Sequence, residues 1–495
     1  MPDLAERKTV GGMTDLALPQ APRVPQFVSA GALFCAALFG GYYVVHQSED
    51  LLNISLVGTG LTVVMVMALR RIVGRRMSVA VMFSGFWVAY FSIRMLVIQV
   101  NPYDNNLYPG LRGAPRSEFM WTWMMIVGGL AAFVVGVWWA RPWRATRLVI
   151  PQVSDRLLFA FGTGALALRL MISLGRIPSG LAENVTDSYL IMLTALTARS
   201  ITTPALARRA KMMLGLAVFA GYLSGYKEQA VVPLLAYMVG RVAGGHKIKP
   251  KSILVGFLIG ITVFVSIQGA RIAGEVGDAT FPPPDPITVL SKYNMESGNR
   301  LRAERSTGEA LVDVGRSLSR RFGGADALIL LHRRAGKQEP YQHGKTIWQS
   351  AISILPGIAS FIHLDFPVLS LGHWFSDHYV TTKPGEDPSS QAITIPGDLY
   401  LNFGTLGLLI GTMLLGLMYG GLDRLFPPNS PLLAGFAFYV GYPLIGLERN
   451  LAYPLVGTFI RFTVVLLLLS RFKMIARLPG NRRTRTRSLP VGRLA

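Results

Sequence analysis

Apolar residues in this chain fall in runs of about 20 bounded by charge, the length at which a helix crosses a bilayer. The runs predict spans near 27–46, 51–69, 78–100, 119–140, 157–175 and 188–206. The next apolar stretch, 212–240, is interrupted from Ser224 to Gln229 by a polar Ser-Gly-Tyr-Lys-Glu-Gln segment. It reads as a broken hairpin of two tilted or partly re-entrant helices; one helix of about 29 residues is the alternative and would invert the topology downstream. A span at 252–272 precedes a polar stretch, 273–396, and three more spans follow near 397–421, 432–448 and 453–470. The pattern predicts an all-α integral membrane protein of about twelve transmembrane helices. Its parts would be a cytoplasmic tail (1–26), a first membrane portion (27–272), one large extracytoplasmic helical loop (273–396), a last membrane portion (397–470) and a basic cytoplasmic tail (471–495).

Composition agrees with the pattern. Hydrophobic residues make up 51% of the chain and charged ones only 15%, against roughly 25% charged in soluble domains, which excludes an ordinary soluble enzyme. The net charge of +22 raises the possibility of nucleic acid or anionic lipid as partner, and its distribution decides the matter. Segments expected inside, among them Arg70, Arg71, Arg75, Arg76 and the tail from Arg471 to Arg493, hold 28 basic and 5 acidic residues, whereas those expected outside hold 17 and 22. This is the positive-inside bias, a topology signal, and no nucleic-acid partner is expected. The single cysteine, Cys35, lies in the first apolar run and excludes a disulfide framework.

The loop 273–396 carries the remaining chemistry. It opens on Phe281-Pro-Pro-Pro-Asp-Pro286, an extended spacer. Ser306 followed by Glu309 is a capping box, after which Leu311, Val314, Leu318 and Phe322 form one helical stripe ended by Gly323 and Gly324. A second short helix is predicted from Asp326 to Arg334, ended by Gly336. On a helical wheel Arg316 and Arg320 lie opposite the stripe, where they form a solvated face or meet an anion, and Asp313 can pair with Arg316. Arg321 falls inside the apolar arc, so it needs a buried carboxylate or a bound anion. Five of the seven histidines, His332, His343, His363, His373 and His378, fall in this loop with Asp365 and Asp377 among them. They are candidates for a general base or a phosphate contact, besides being ordinary loop histidines. With no His-Glu-x-x-His motif and no loop cysteine, no metal or other cofactor is expected.

Cations inside spans are costly and are functional suspects. Arg94, Arg169 and Arg271 each sit near the outer end of their span, and Lys227 lies at the tip of the broken hairpin. Brought together they would form a cationic pocket for a lipid-linked phosphate or diphosphate; separately they would snorkel to headgroups. Arg461, near the middle of the last span, would need Glu448 or Asp398 as its partner.

Pro396 to Gly420, PGDLYLNFGTLGLLIGTMLLGLMYG, joins an acidic residue, an aromatic, Asn-Phe-Gly and a glycine-rich apolar helix. This resembles the last third of the Wzy-type oligosaccharide repeat-unit polymerases. LSGYKEQAVVPLLAYMVGR is similar to that family's hairpin, with Lys227 where Arg is usual, and SLSRRFGGADAL is similar to its Arg-Phe and following Asp, here Arg321, Phe322 and Asp326. Arg333 and Gly344 repeat a spacing found in some members. The resemblance covers 210–470 in patches. It implies a GT-C-like glycosyltransferase of the bacterial cytoplasmic membrane, with its active site on the extracytoplasmic side. Such an enzyme moves glycan from undecaprenyl diphosphate onto another lipid-linked oligosaccharide, with a flippase and a chain-length regulator as further partners besides membrane lipids. Arg271, Arg321 and Lys227 are then expected on the diphosphate, with Arg94, Arg169, Arg316 and Arg320 as further candidates. Asp398, His373, Asp377 or Asp365 would stand near the acceptor hydroxyl, and Asp398 can equally cap the re-entering helix. An O-antigen ligase-like transferase and a polysaccharide flippase are the competing readings.

Overall fold

The computed structural model describes residues 50–73, 78–100, 115–140, 154–173, 185–201, 203–223, 227–246, 250–275, 293–294, 299–300, 308–309, 314–315, 323–354, 371–380, 393–426, 431–445 and 450–471. Among them helices dominate, joined by one two-residue antiparallel strand pair, Tyr293–Asn294 with Asn299–Arg300. Four helices are long and apolar enough to cross a membrane: α1 (Leu51–Val73), α2 (Val79–Gln99), α3 (Arg116–Trp139) and, late in the chain, Ile395–Leu425. The protein is an all-α membrane protein. Between these lie α4 (Asp155–Ser173), α5 (Tyr189–Arg199), α6 (Pro204–Leu223), α7 (Lys227–Ala243), α8 (Pro250–Glu275), and three short helices, α9 (Gly324–Arg334), α10 (Lys345–Ile354) and α11 (Leu371–Phe375). The long helix Ile395–Leu425 is α12, followed by α13 (Pro431–Ile445) and α14 (Ala452–Arg471). The expected first span lies outside the described residues. The apolar stretch 212–240 is divided between α6 and α7, which pack side by side: a Cβ on Gly221 would stand 2.4 Å from the carbonyl oxygen of Gln229.

Small residues let these helices touch at the backbone, which is how apolar helices associate where no water drives them together. The α3–α12 contact is the most extensive in the fold. A Cβ on Gly136 would lie 2.0 Å from the Met413 carbonyl oxygen, and one on Gly416 would lie 2.1 Å from that of Phe133. On the other flank α5 is the central helix. Gly240 of α7 meets the Thr194 carbonyl, and Gly435 of α13 meets that of Ile191.

Polar side chains tie the bundle together where the glycines bring it close. α2 contains a π-helical turn, Val88–Ile93, where the Ser92 carbonyl accepts from Thr59 of α1 and Thr62 donates to the Ser92 hydroxyl at 2.9 Å. Trp87 of α2 donates to the Ile126 carbonyl of α3. At the other end of α2, Asp423 near the end of α12 accepts from the Val79 amide at 3.0 Å and from the Ser78 hydroxyl. The carboxylate thereby complements the positive end of α2.

The loop helix expected from Asp326 to Arg334 is α9, which begins two residues earlier, at Gly324. Gly324 lies against the ring of Phe91, so the glycine pair lets α9 sit down on α2. Of the preceding predicted helix only 308–309 and 314–315 are described, both helical, with Val314 buried; Arg316, Arg320 and Arg321 lie outside the described residues.

Gly416→Val puts branched carbon into the Phe133 backbone and should destabilise the protein by about 3 kcal/mol, the upper end for overpacking. Gly164 of α4 has open space where its Cβ would be, so Gly164→Ala should be neutral or stabilising. Thermal unfolding in detergent, followed by loss of the monodisperse peak, compares the two.

Candidate functional site

The charged groups near the membrane fall into several clusters, and most of those clusters are shut. The first is at the entry of α12. Thr394 adopts a positive φ of 68° and its hydroxyl accepts from the Gly397 amide, starting the helix. One turn in, Asp398 is fully buried. Its carboxylate accepts from Thr346 Oγ1 at 2.6 Å, Asn402 Nδ2 at 2.9 Å and the Leu451 amide at 2.9 Å. Asn402 in turn accepts from the Gly344 amide, and its own carbonyl accepts from that of His343. Asp398 thus knots α10, α12 and the start of α14 together. Two residues past Asn402, Gly404 breaks the helix with φ 65° and ψ −157°, a conformation open to glycine.

The second cluster joins α2 to the loop. Arg94 Nη2 lies 2.9 Å from Asp326 Oδ2, its Nε is 3.1 Å from the same oxygen, and both side chains are buried. The third lies among α4, α5, α13 and α14. Asp187 Oδ2 takes Arg461 Nη2 at 2.6 Å and the Tyr442 hydroxyl at 2.8 Å, while Arg169 Nε stands 3.8 Å from Oδ1. The Arg461 guanidinium also lies 4.2 Å from the Tyr442 ring centre, a favourable placement for a desolvated cation. Arg461 was expected to seek Asp398 or Glu448. Asp398 is committed elsewhere, Asp187 holds Arg461, and Glu448 lies outside the described residues. Arg94 and Arg169, expected in one pocket, enter two separate ion pairs.

The fourth cluster is only partly buried. It forms where the start of α3, the end of α9 and the first turns of α12 meet. The His332 ring stacks on Trp121 with centroids 3.8 Å apart, and its Nδ1 stands 3.3 Å from the Tyr400 hydroxyl. Tyr400 presents its edge to Trp121 and to Tyr341. Beside them Arg333 Nε donates to Glu118 at 2.6 Å. Arg334 donates to the His378 carbonyl at 2.6 Å, joining α9 to the turn after α11. His332, Arg333, Glu118, Trp121 and Tyr341 are all half-buried. Partial burial, with the positive charge of Lys337 adding to it, lowers the His332 pKa below its usual 6.5; Glu118 opposes the shift. The ring is therefore neutral at pH 7 and able to take a proton. A neutral imidazole stacked on an indole, and a guanidinium paired with a carboxylate, thus stand half-buried side by side, groups whose chemistry suits a polar ring and its proton.

Of the residues singled out from sequence, Lys227 and Arg271 lie on α7 and α8, and His373 and Asp377 in or beside α11, but their side chains are outside the described residues, as is all of Asp365. Trp121 and Glu118 stand outside the residues that the sequence singles out, and Tyr400 enters there only as the aromatic of the Pro396–Gly420 motif. Their signal was faint: polar and aromatic residues in the first turn or two of a span, at the depth where the loop must sit.

Two measurements follow. Asp326→Ala removes the buried carboxylate from Arg94 and should cost about 3–5 kcal/mol, whereas Arg94→Met combined with Asp326→Leu should recover most of it; thermal unfolding of the three variants checks this. For His332 the folded pKa lies below the unfolded one, so the stability it supplies is complete above about pH 6.5 and is lost as pH falls through that range. The drop in melting temperature between about pH 7.5 and about pH 5.5 should therefore be smaller in His332→Gln than in the native chain. Set against known proteins, the chain matches no family model, no curated protein and no solved structure.

Proposed function

We propose that this protein is a membrane-embedded glycosyltransferase that transfers lipid-diphosphate-linked glycan onto another lipid-linked oligosaccharide repeat unit. The half-buried cluster of His332, Arg333, Glu118 and Trp121, with Tyr400 buried beside it, carries the reading as the cleft of the site. It lies where a loop helix meets the ends of two membrane-crossing helices, the depth at which a lipid-borne sugar meets protein. Aromatic faces suit the apolar faces of sugar rings. A neutral histidine can take the proton of an attacking hydroxyl. A guanidinium can meet the negative charge that develops on a departing diphosphate.

The chemistry is a displacement at the anomeric carbon. The bond from that carbon to the diphosphate oxygen breaks, a bond to the acceptor hydroxyl oxygen forms, and the hydroxyl proton passes to a base. Within the cleft His332 is the candidate base and Arg333 the candidate for the diphosphate, joined by Arg271, Arg321 and Lys227 if their side chains reach it. Asp398, whose carboxylate already accepts three hydrogen bonds, is assigned to holding the α12 entry. A GT-C-like arrangement of about twelve spans, with the cleft on the extracytoplasmic side of a bacterial cytoplasmic membrane, belongs to the same proposal. The likeness of Pro396–Gly420 to the Wzy-type polymerases supports it.

Deletion of the gene should cause single lipid-linked repeat units to accumulate on the outer side of the membrane. Full-length polymer retained on its carrier would point to a ligase, and units trapped inside to a flippase. Complementation with His332→Ala or Arg333→Ala should reduce polymer by about 100-fold or more, the range for loss of a general base or of a charge-stabilising group, with the protein still in the membrane. Polymer of unchanged amount and length in both variants would overturn the assignment of the cleft.

A further inference from the structure

The short helix α10 has two faces with different fates. Thr346 is buried and donates to Asp398, and one turn later Ser350 accepts from Asn450 at 2.9 Å, just before α14 begins. Ile352 is also buried. Trp348 lies midway between the two tethers and so points away from both, about 200° round the helix from Thr346. It is 67% exposed, a large apolar ring.

Its depth follows from α12. The kink at Gly404 divides that helix. The 21 residues from 405 to 425 rise about 32 Å, close to the roughly 30 Å of a bilayer's hydrocarbon core. The segment before the kink, 395–403, therefore stands in the headgroup layer. Thr346 is bonded within that segment, to Asp398, and Asn402 donates to Thr346 at 2.6 Å, so Trp348 shares its depth. Below it α12 presents an apolar row to the surroundings: Phe403 at 48% exposure, Leu406 at 70%, Ile410 at 51% and Leu414 at 55%. Phe403 touches the turn that starts α10, since a Cβ on Gly344 would sit 3.3 Å from its ring. The apolar surface is thus continuous from the membrane-crossing part of α12 up to α10.

We propose that α10 is an interfacial anchor, with Trp348 and Phe403 inserted at the boundary between headgroups and acyl chains. The occupant of this surface is the bilayer. An indole at that depth is held by its apolar body on one side and its N–H on the other. Because α10 follows α9 by a ten-residue turn pinned to α12 at Leu401 and Asn402, the anchor also sets the height of the His332–Arg333 cleft above the hydrocarbon.

The test uses the full chain in lipid vesicles with Cys35→Ser as background. Nitroxide labels are placed at Trp348→Cys, at Lys337→Cys on the exposed turn and at Leu414→Cys on the lower row. Accessibility is measured to oxygen, which partitions into lipid, and to a charged nickel chelate, which stays in water. The oxygen-to-nickel ratio at 348 is expected to be several-fold above that at 337 and below that at 414. A ratio equal to that at 337 would place Trp348 in water, and exclusion of both reagents would mean that protein covers it; either result overturns the proposal. As a check without labels, the unlabelled native chain and Trp348→Phe are compared in vesicles of lipids brominated at successive acyl positions. The fluorescence difference between them should be quenched most by bromine nearest the headgroup, and absence of quenching at every position would overturn the anchor.

Discussion

A carboxylate placed among membrane helices must find its hydrogen bonds inside the protein, and Asp398 shows how much structure that requirement can organise. Three donors converge on it from α10, from one turn further along α12, and from the residue before α14. Elements more than fifty residues apart are thereby fixed at one point. With its entry set, α12 descends against α3 through contacts that admit only glycine at Gly136 and Gly416. That register brings the start of α3, with Glu118 and Trp121, level with Tyr400. α9 is then held in place by the pair of Arg94 with Asp326 at its start and by Arg333 on Glu118 at its end. The half-buried cluster of His332, Arg333 and Glu118 is a consequence of the buried knots beside it.

Burial separates the charged groups that build from those that can act. Arg94, Asp326, Asp187, Arg461 and Asp398 are all buried and satisfied by protein. Losing a partner from such a pair costs more than the pair itself contributes, because the remaining charge has no water to turn to. These residues are therefore intolerant of change without being reactive. His332, Arg333 and Glu118 differ in being half-buried. They are dry enough for a lowered histidine pKa and still within reach of solvent.

Much of the architecture was legible because a bilayer imposes a length. Runs of about 20 apolar residues located α1, α2, α3 and α12, and turn chemistry located α9 to within two residues. The glycine pair at 323 and 324 was read as a stop. It is also a close approach, since the ring of Phe91 occupies the place of a Gly324 side chain. The ion pairs were illegible. Arg94 and Asp326 are 232 residues apart, and Arg461 and Asp187 are 274 apart. Nothing local distinguishes an arginine waiting for a distant aspartate from one waiting for an anionic ligand. Asp398 was ambiguous for a related reason: a carboxylate in the first turn of a helix looks the same whether it faces a site or a knot, and only its three donors decide.

The same reasoning explains why the cleft's aromatic half escaped notice. In a hydrophobic span Trp121 and Tyr400 are unremarkable by composition, since aromatic residues gather at membrane boundaries in any case. What sets them apart is a polar neighbour from another part of the chain, His332, stacked on Trp121 and within 3.3 Å of the Tyr400 hydroxyl. Trp348, on the face of α10 away from Thr346 and Ser350, is 67% exposed and has no stacking partner among the described residues. Two aromatic groups are thus set apart by packing: Trp121 is stacked under a residue of the loop helix α9, whereas Trp348 presents most of its ring outward.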